Sequence, residues 1–320
     1  MVRDIRAVGS TVLGSADDPF NLSSAFPMVH RRLDGGYVVL ALHYELSSLA
    51  LFDGTGRFTG ELGGRGDGPG EHRRLVAFAA HALDSVVTVD ASGRFNVFGP
   101  GGSFVRSGRM GPVPWLVRWL EDGRMIAAAD SHQPSSAGVP LHLMSPDGTI
   151  ITSFGSRPDE VMDPGSSSSQ RRRIPVASGR GTELRVYSVG PMTYRIDSWS
   201  PDGELQDSWV RRNEWFPVSP GKAAVITGVH EGSLGDLWVA FAVADPQRFP
   251  EPEGRFSIGQ MNRIVDTLVE VVDLSAGRIL ARGRFEGRAA GFSSAGELVT
   301  LEEDEIGVVR IRLLKLEIVE

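Results

Sequence analysis

Leu83-Asp-Ser-Val-Val-Thr-Val-Asp-Ala-Ser-Gly-Arg-Phe-Asn-Val-Phe-Gly-Pro-Gly-Gly-Ser-Phe-Val-Arg-Ser-Gly108 packs short runs of β-branched and aromatic residues between Asp, Gly and Pro clusters. Such runs are too short for helices and have strand composition. The clusters between them are those of tight antiparallel hairpins, in which Gly supplies φ > 0 and Asp caps its own turn. With the apolar run ahead of it, this segment reads as a four-stranded meander over Val76–Ala80, Val86–Asp90, Phe95–Phe98 and Ser103–Ser107.

The same grammar recurs along the chain. Strand-like runs open at Gly36-Tyr-Val-Val-Leu, Gly123-Arg-Met-Ile-Ala, Glu183-Leu-Arg-Val-Tyr, Asp236-Leu-Trp-Val-Ala and Glu297-Leu-Val-Thr-Leu. Second turn signals follow at Asp53-Gly-Thr-Gly, Pro146-Asp-Gly, Pro201-Asp-Gly and Leu274-Ser-Ala-Gly. Units of four strands repeating about every 40–60 residues are the mark of a β-propeller. The expectation is therefore all-β: one six-bladed propeller over residues 1–320, with four-stranded antiparallel blades starting near 27, 75, 115, 174, 223 and 289. Helical periodicity is nowhere sustained over three turns, which argues against TIM-barrel and Rossmann folds. The sixth unit has room for strands at Leu298–Glu302 and Val308–Leu314 but not for a fourth. Ile5–Leu13, within the first 15 residues, is expected to supply that outer strand and close the ring.

Composition narrows the function classes. Glycine is 39 of 320 residues, well above the usual level of about 7%. The absence of cysteine removes disulfides, thiolate nucleophiles and cysteine-ligated metals. A net charge of −7 argues against nucleic acid as a partner. No apolar run reaches the length of a membrane span. The first residues lack the apolar core of a signal peptide, so the protein is cytoplasmic, or periplasmic or exported if a leader has been removed. A monomer that binds a small molecule or a protein on its loop-rich face around the central channel is the expectation.

The surplus length is unevenly placed. Residues 63–74, 130–139, 155–173 and 244–266 are long connections that, in a meander, all emerge on one rim. Long loops on a rigid scaffold are where binding concentrates.

Phe52-Asp-Gly-Thr-Gly-Arg-Phe-Thr-Gly-Glu-Leu-Gly-Gly-Arg-Gly-Asp-Gly-Pro-Gly-Glu resembles a stretch recurrent in bacterial six-bladed β-propellers related to the NHL-repeat group. Leu83 to Gly108 is similar to a single NHL-type repeat. The resemblance is sharp over 34–108 and is carried only by turn spacing beyond. It implies the fold and, for many members, export; activity is implied weakly, since members are mostly binding modules.

Acidic residues fall at or near the ends of second strands: Glu45, Asp90, Asp130, Asp245 and the run Glu302 to Glu305. Carboxylates converging on a channel mouth invite Ca²⁺, which takes oxygen ligands. Similar six-bladed lactonases and hydrolases hold a channel Ca²⁺, which makes Asp90, Asp130, Asp245 and Glu303 candidate ligands and a calcium-dependent hydrolase the rival to a binding module. Those enzymes use Asn and Glu on inner strands, whereas none of the four Asn here sits on a clear inner strand. The alternative role of each Asp is to cap its own turn. His43 and His132 follow second strands at the same mouth and are candidate bases. Arg65, Arg73, Arg74 and the Arg171 to Arg173 run are candidate contacts for an anion or a partner's acids. The Gly63–Gly70 loop has the composition of a phosphate cradle but no following helix. Nucleophile-elbow, dinucleotide-fold and P-loop motifs are absent. Trp115 and Trp119 read as packing between blades.

Overall fold

The computed structural model describes residues 2–18, 22, 27–41, 47–81, 83–120, 122–129, 141–155, 176–178, 186–189, 194–200, 202–211, 224–245 and 264–319. Every described element is a strand, and the strands form meanders in chain order. One sheet holds β2 (Met28–Arg31), β3 (Tyr37–Leu40), β4 (Ser48–Phe52), β5 (Phe58–Arg65) and the short β6 (Glu71–His72). The next contains β7 (Leu75–Ala80), β8 (Val86–Asp90), β9 (Arg94–Phe98) and β10 (Phe104–Arg109). Two further four-stranded sheets come after it: β11 (Leu116–Trp119), β12 (Met125–Ala128), β13 (Leu141–Met144) and β14 (Ile150–Phe154), then β15 (Val176–Ser178), β16 (Val186–Val189), β17 (Arg195–Trp199) and β18 (Leu205–Val210).

The remaining strands form one eight-stranded sheet. Its first half is β19 (Val225–Glu231), β20 (Leu237–Ala244), β21 (Val265–Asp273) and β22 (Arg278–Phe285). Its second half runs β23 (Ala289–Phe292), β24 (Leu298–Glu303), β25 (Val309–Val319) and then β1 (Arg3–Leu13). The N-terminal strand thus lies antiparallel beside β25, with Leu13 opposite Ile311 and Ile5 opposite Ile318. Its first residues also reach across to β22, where Arg3 and Asp4 pair in parallel with Ala281 and Arg282.

One turn geometry recurs. In residues 32–36 the amide of Arg32 donates to the Gly36 carbonyl, and the amide of Gly35 donates back to Arg32. The same pair of bonds closes 81–85, 120–124, 232–236 and 293–297 between first and second strands, and 53–57, 99–103, 145–149 and 200–204 between third and fourth. The fourth residue sits at positive φ each time, and it is Gly everywhere except Asp84, at φ 60. That requirement accounts for much of the glycine excess. Some of these glycines also permit close approach between sheets: a Cβ at Gly148 would lie 2.6 Å from the Arg109 carbonyl oxygen, and one at Gly56 would collide with that of Val12.

The core is divided, because a sheet flanked on both faces buries a separate layer on each. Leu40, Leu49, Phe78 and Phe98 fill the space between the β2–β5 and β7–β10 sheets. Val89, Phe95, Met125 and Met144 fill the next, and Ile126, Leu143, Phe154 and Trp199 the one after. Tyr194, Ile196, Leu237 and Phe241 join β17 to the β19–β22 half-sheet. Ala240, Val269, Ala289 and Leu298 join the two halves of the eight-stranded sheet. Leu13, Tyr37, Phe52, Ile311 and Leu313 bring the last sheet against the first. The same junction is tied at its inner edge, where the Ser294 amide donates to the Val29 carbonyl (3.3 Å) and the Arg31 amide to Ser294 Oγ (2.9 Å).

Candidate functional site

In an antiparallel meander the first and third connections leave one end of the sheet; the second connection and the link to the next sheet leave the other. Among the described residues the first end carries the nine uniform five-residue turns; the second carries a tenth, Asp304–Val308, and the tight Asp90–Arg94 turn. The second also carries the connections 41–47, 129–140, 155–175, 211–224 and 245–264. Glu231 to Asp236, a modestly long connection by sequence, contains the same five-residue turn as its neighbours.

The best-described part of the long-loop rim is the Gly-rich segment between the first two sheets. Gly64 and Arg65 on β5 pair in parallel with Glu71 and His72 on β6, so the chain folds back on itself. The Gly66 amide donates to the His72 carbonyl (3.1 Å) and the Glu71 amide to the Gly68 carbonyl (3.1 Å). Arg94 clamps the loop from β9, donating to the carbonyls of Asp67 (2.7 Å) and Gly68 (2.6 Å). The loop has the composition of a phosphate cradle, but its interior is taken by its own side chain. Glu71 Oε2 accepts the Gly68 amide at 2.7 Å, and its carboxylate fills the space that a Cβ at Gly66 or Gly68 would need. Arg73 makes a two-pronged ion pair with Asp67, at 2.8 and 2.9 Å, and both side chains are largely exposed. Arg65 and Arg74 are exposed on the same segment.

Beneath the loop lies a polar cluster that sequence reading missed. His72, Thr88 and Asn96 are fully buried. His72 Nδ1 is 3.2 Å from the Ser47 carbonyl, and Nε2 is 2.6 Å from Thr88 Oγ1 and 2.9 Å from Asn96 Nδ2. Asn96 Nδ2 also donates to the Glu71 carbonyl at 3.0 Å. Burial holds the His72 pKa below the usual histidine value, Asp90 pulling it up and Arg94 pushing it further down. The available signal was a histidine directly after Gly-Pro-Gly-Glu, facing one of only four asparagines.

Three of the acidic candidates, Asp90, Asp245 and Glu303, fall among the described residues. Asp90 is buried and capped within its own turn, its Oδ1 accepting the Ser92 amide (2.8 Å), Ser92 Oγ (2.7 Å) and the Arg94 amide (3.1 Å). Asp245 is buried just past β20, its amide bonded to the Ile264 carbonyl at 2.9 Å. Glu303 ends β24 between Glu302, paired with Arg312 at 2.6 Å, and Asp304, paired with Arg310 at 3.2 Å. His43, Glu45, Asp130 and His132 lie outside the described residues, as does the Arg171 to Arg173 run. Among the described residues no group of three or more His, Asp or Glu is placed to hold a metal ion.

The opposite rim holds a second cluster. Asp84 occupies the left-handed turn position that glycine holds elsewhere, and both its carboxylate oxygens lie 3.0 Å from the Leu33 amide of the neighbouring sheet. His30 Nε2 stands 4.0 Å from the same carboxylate. Burial lowers the His30 pKa to about 4; Asp84 opposes the shift, while Arg118 and Arg32 add to it. Burial alone also lowers Arg118, to about 10. Two buried carboxylates act as ties between sheets. Glu270 accepts from Tyr194 (2.6 Å), Arg211 (3.2 Å) and Arg282 (2.8 Å), and Glu297 accepts from Tyr37 and Arg31, each at 3.2 Å.

Antiparallel sheets stacked face to face, with their first strands innermost and the chain ends paired in the last sheet, define a β-propeller. No described helix is long and apolar enough to cross a membrane. The fold is that of solved structures at low sequence identity. A member of the DUF4221 family from Bacteroides vulgatus ATCC 8482 matches over 100% of both chains with a TM-score of 0.65 and 8% identity. A Bacteroides fragilis NCTC 9343 protein classed as exported matches over 99% of this chain and 96% of its own, at 0.62 and 12%. A streptogramin B lyase matches over 97% and 98%, at 0.54 and 12%. No protein-family model and no curated protein matches the sequence.

Proposed function

We propose that the chain is a six-bladed propeller that works as a binding module, taking a small molecule or protein partner on the long-loop rim around the central channel. The blade count rests on the divided core: among the described residues six hydrophobic clusters, each between consecutive meanders, return from the last meander to the first. The eight-stranded sheet is then two blades joined by the start of β1, and NHL-type propellers are the relatives that the sequence resemblance over residues 34–108 suggests. The choice of rim rests on one observation: among the described residues nine of the ten five-residue turns lie at one end of the meanders, and the long connections at the other. Drift in surface loops would lengthen both ends. Exposed Arg65 and Arg74, with Arg73 beside them, suit an anionic group on the ligand. Export is the matching location, as for the Bacteroides fragilis protein.

Crystallographic screening of a fragment library rich in carboxylates and phosphates tests this reading. Fragments should gather on the long-loop rim, and acidic ones beside Arg65, Arg73 or Arg74. A clustering on the five-residue-turn rim or the outer strands would overturn it. Thermal melts in millimolar calcium and in EDTA form the second arm. Matching melts are expected; calcium stabilisation with ester turnover would favour the hydrolase instead.

A further inference from the structure

The outer strands of two neighbouring meanders leave a groove between them. Trp209, Val210 and Arg211 line a cavity of about 390 Å³ from the β15–β18 sheet, Gly277 and Ile279 line it from β22 and the turn before it, and Val2 completes the lining. Most of these groups are apolar, yet two are hydrogen-bond donors without an acceptor. Trp209 Nε1 makes no hydrogen bond among the described residues and lies 3.8 Å from where a Cβ on Gly277 would sit, so the bare glycine leaves the indole N–H open. The ring is held in place: it meets Tyr194 edge-on with centroids 5.1 Å apart, and the Tyr194 hydroxyl is fixed on Glu270 at 2.6 Å. Arg211 uses only Nη1, which reaches both Glu270 oxygens at 3.2 Å. Its Nε and Nη2 hydrogens have no partner among the described residues, and its side chain is 28% exposed.

We propose that this groove binds a small monocarboxylic acid with an apolar body. The local charge is unbalanced in favour of an anion. Glu270 is one carboxylate between two guanidiniums, Arg211 and Arg282, the latter bonded through Nε at 2.8 Å. Nearby acids are otherwise engaged: Asp4, opposite Arg282 on β1, lies 3.8 Å from Arg6, and Asp273 lies 3.5 Å from Arg278. A ligand carboxylate takes the Trp209 Nε1–H on one oxygen and an Arg211 N–H on the other, a charge-assisted pairing. The hydrocarbon part covers Val2, Val210 and Ile279 and leaves water there. The cavity stands near the small end of ligand sites, about 300–1,000 Å³, which suits an acid of the size of phenylacetic. A single surplus positive charge suits a monoanion and leaves a phosphate dianion undercompensated. The groove lies on outer strands, apart from the long-loop rim. In a fragment screen it is the expected exception there, and binding at either place stands or falls without the other.

Binding of 4-fluorophenylacetate to the intact protein tests the groove, with 4-fluorophenylacetamide as the neutral match. Fluorine NMR should show saturable binding of the acid, with the amide about tenfold weaker. In nitrogen–proton spectra the acid should move one indole signal, the one missing from Trp209→Phe. That variant keeps the ring without the donor, and Arg211→Lys keeps a cation beside Glu270 without the guanidinium fork; each should lose about tenfold in affinity. Gly277→Asn, a residue tolerated at φ 62, places a side chain beside Trp209 Nε1 and should abolish binding. No saturable binding at millimolar acid, equal binding of acid and amide, or an unmoved Trp209 signal at saturation overturns the site, whatever the variants do. Undiminished affinity in Trp209→Phe does the same. An acetylated peptide ending in valine that binds more tightly than the acid would overturn the small acid as occupant.

Discussion

Replacing Leu13 by alanine should weaken the fold at its seam. Leu13 ends β1, is fully buried, and packs with Tyr37 and Phe52 of the first sheet and Ile311 and Leu313 of the last. The substitution deletes three buried carbons, at about 0.8 kcal/mol each for transfer. The cavity left behind brings the total to about 3–4 kcal/mol. For a chain of 320 residues, with an unfolding entropy of about 2 cal/mol/K per residue, that is a drop in Tm of about 5 °C. Val8 on the same strand is half exposed, and Val8→Ala should cost under about 0.5 kcal/mol. Urea unfolding followed by tryptophan fluorescence, with calorimetry for Tm, measures both. A chain starting at Asp18 should melt far below the intact protein and be partly restored by a peptide of residues 1–15. Equal losses for Leu13→Ala and Val8→Ala, or an intact melt without β1, would refute the seam.

Glu270→Gln leaves Arg211 and Arg282 facing a neutral amide; both arginines are partly exposed, so solvent moderates the loss to about 1–3 kcal/mol, and an unchanged denaturation midpoint would contradict the tie. At position 84, glycine relieves the left-handed strain but loses the Leu33 bond, whereas alanine keeps the strain and loses the bond as well. Asp84→Ala should therefore be less stable than Asp84→Gly by about 1 kcal/mol in chemical denaturation, and the reverse order would sink the explanation. The His30 pKa is lowered to about 4 in the fold, against about 6.5 when unfolded. The unfolded chain thus binds the extra proton between those values, and stability falls as pH drops through that window. His72 and His142 are shifted the same way by burial. His30→Gln should flatten the slope of stability against pH between about 4 and 6.5; an unaltered slope would show that His30 does not contribute.

The repeat was legible because hairpins are local. Asp53-Gly-Thr-Gly and Ser200-Pro-Asp-Gly carry their turn chemistry within five residues, and the strands between are too short to be anything else. The place of Ile5–Leu13 was legible by elimination, since the last unit lacked a strand and the first had one to spare; in the structure β1 lies beside β25. The site was less legible. Asp90 read as a turn cap before a cation ligand, and only the structure shows the hydrogen bonds from Ser92 and Arg94 that make the cap. The Gly63–Gly70 loop looked ready for an anion because composition cannot reveal that Glu71 turns back into it.

By itself the sequence determined the features that neighbours along the chain dictate: strands, five-residue turns, their glycines, and the end of the meanders at which the long connections fall. Tertiary structure alone decided those that depend on partners far apart in sequence. Glu270 meets Tyr194 and Arg211 across a sheet junction, and Asp84 reaches Leu33 from a turn where glycine would do locally. His72 meets Thr88, Asn96 and Ser47 only once two sheets have closed on it. Turn chemistry acts over a few bonds, whereas desolvation and buried hydrogen bonding exist only when distant segments exclude water together.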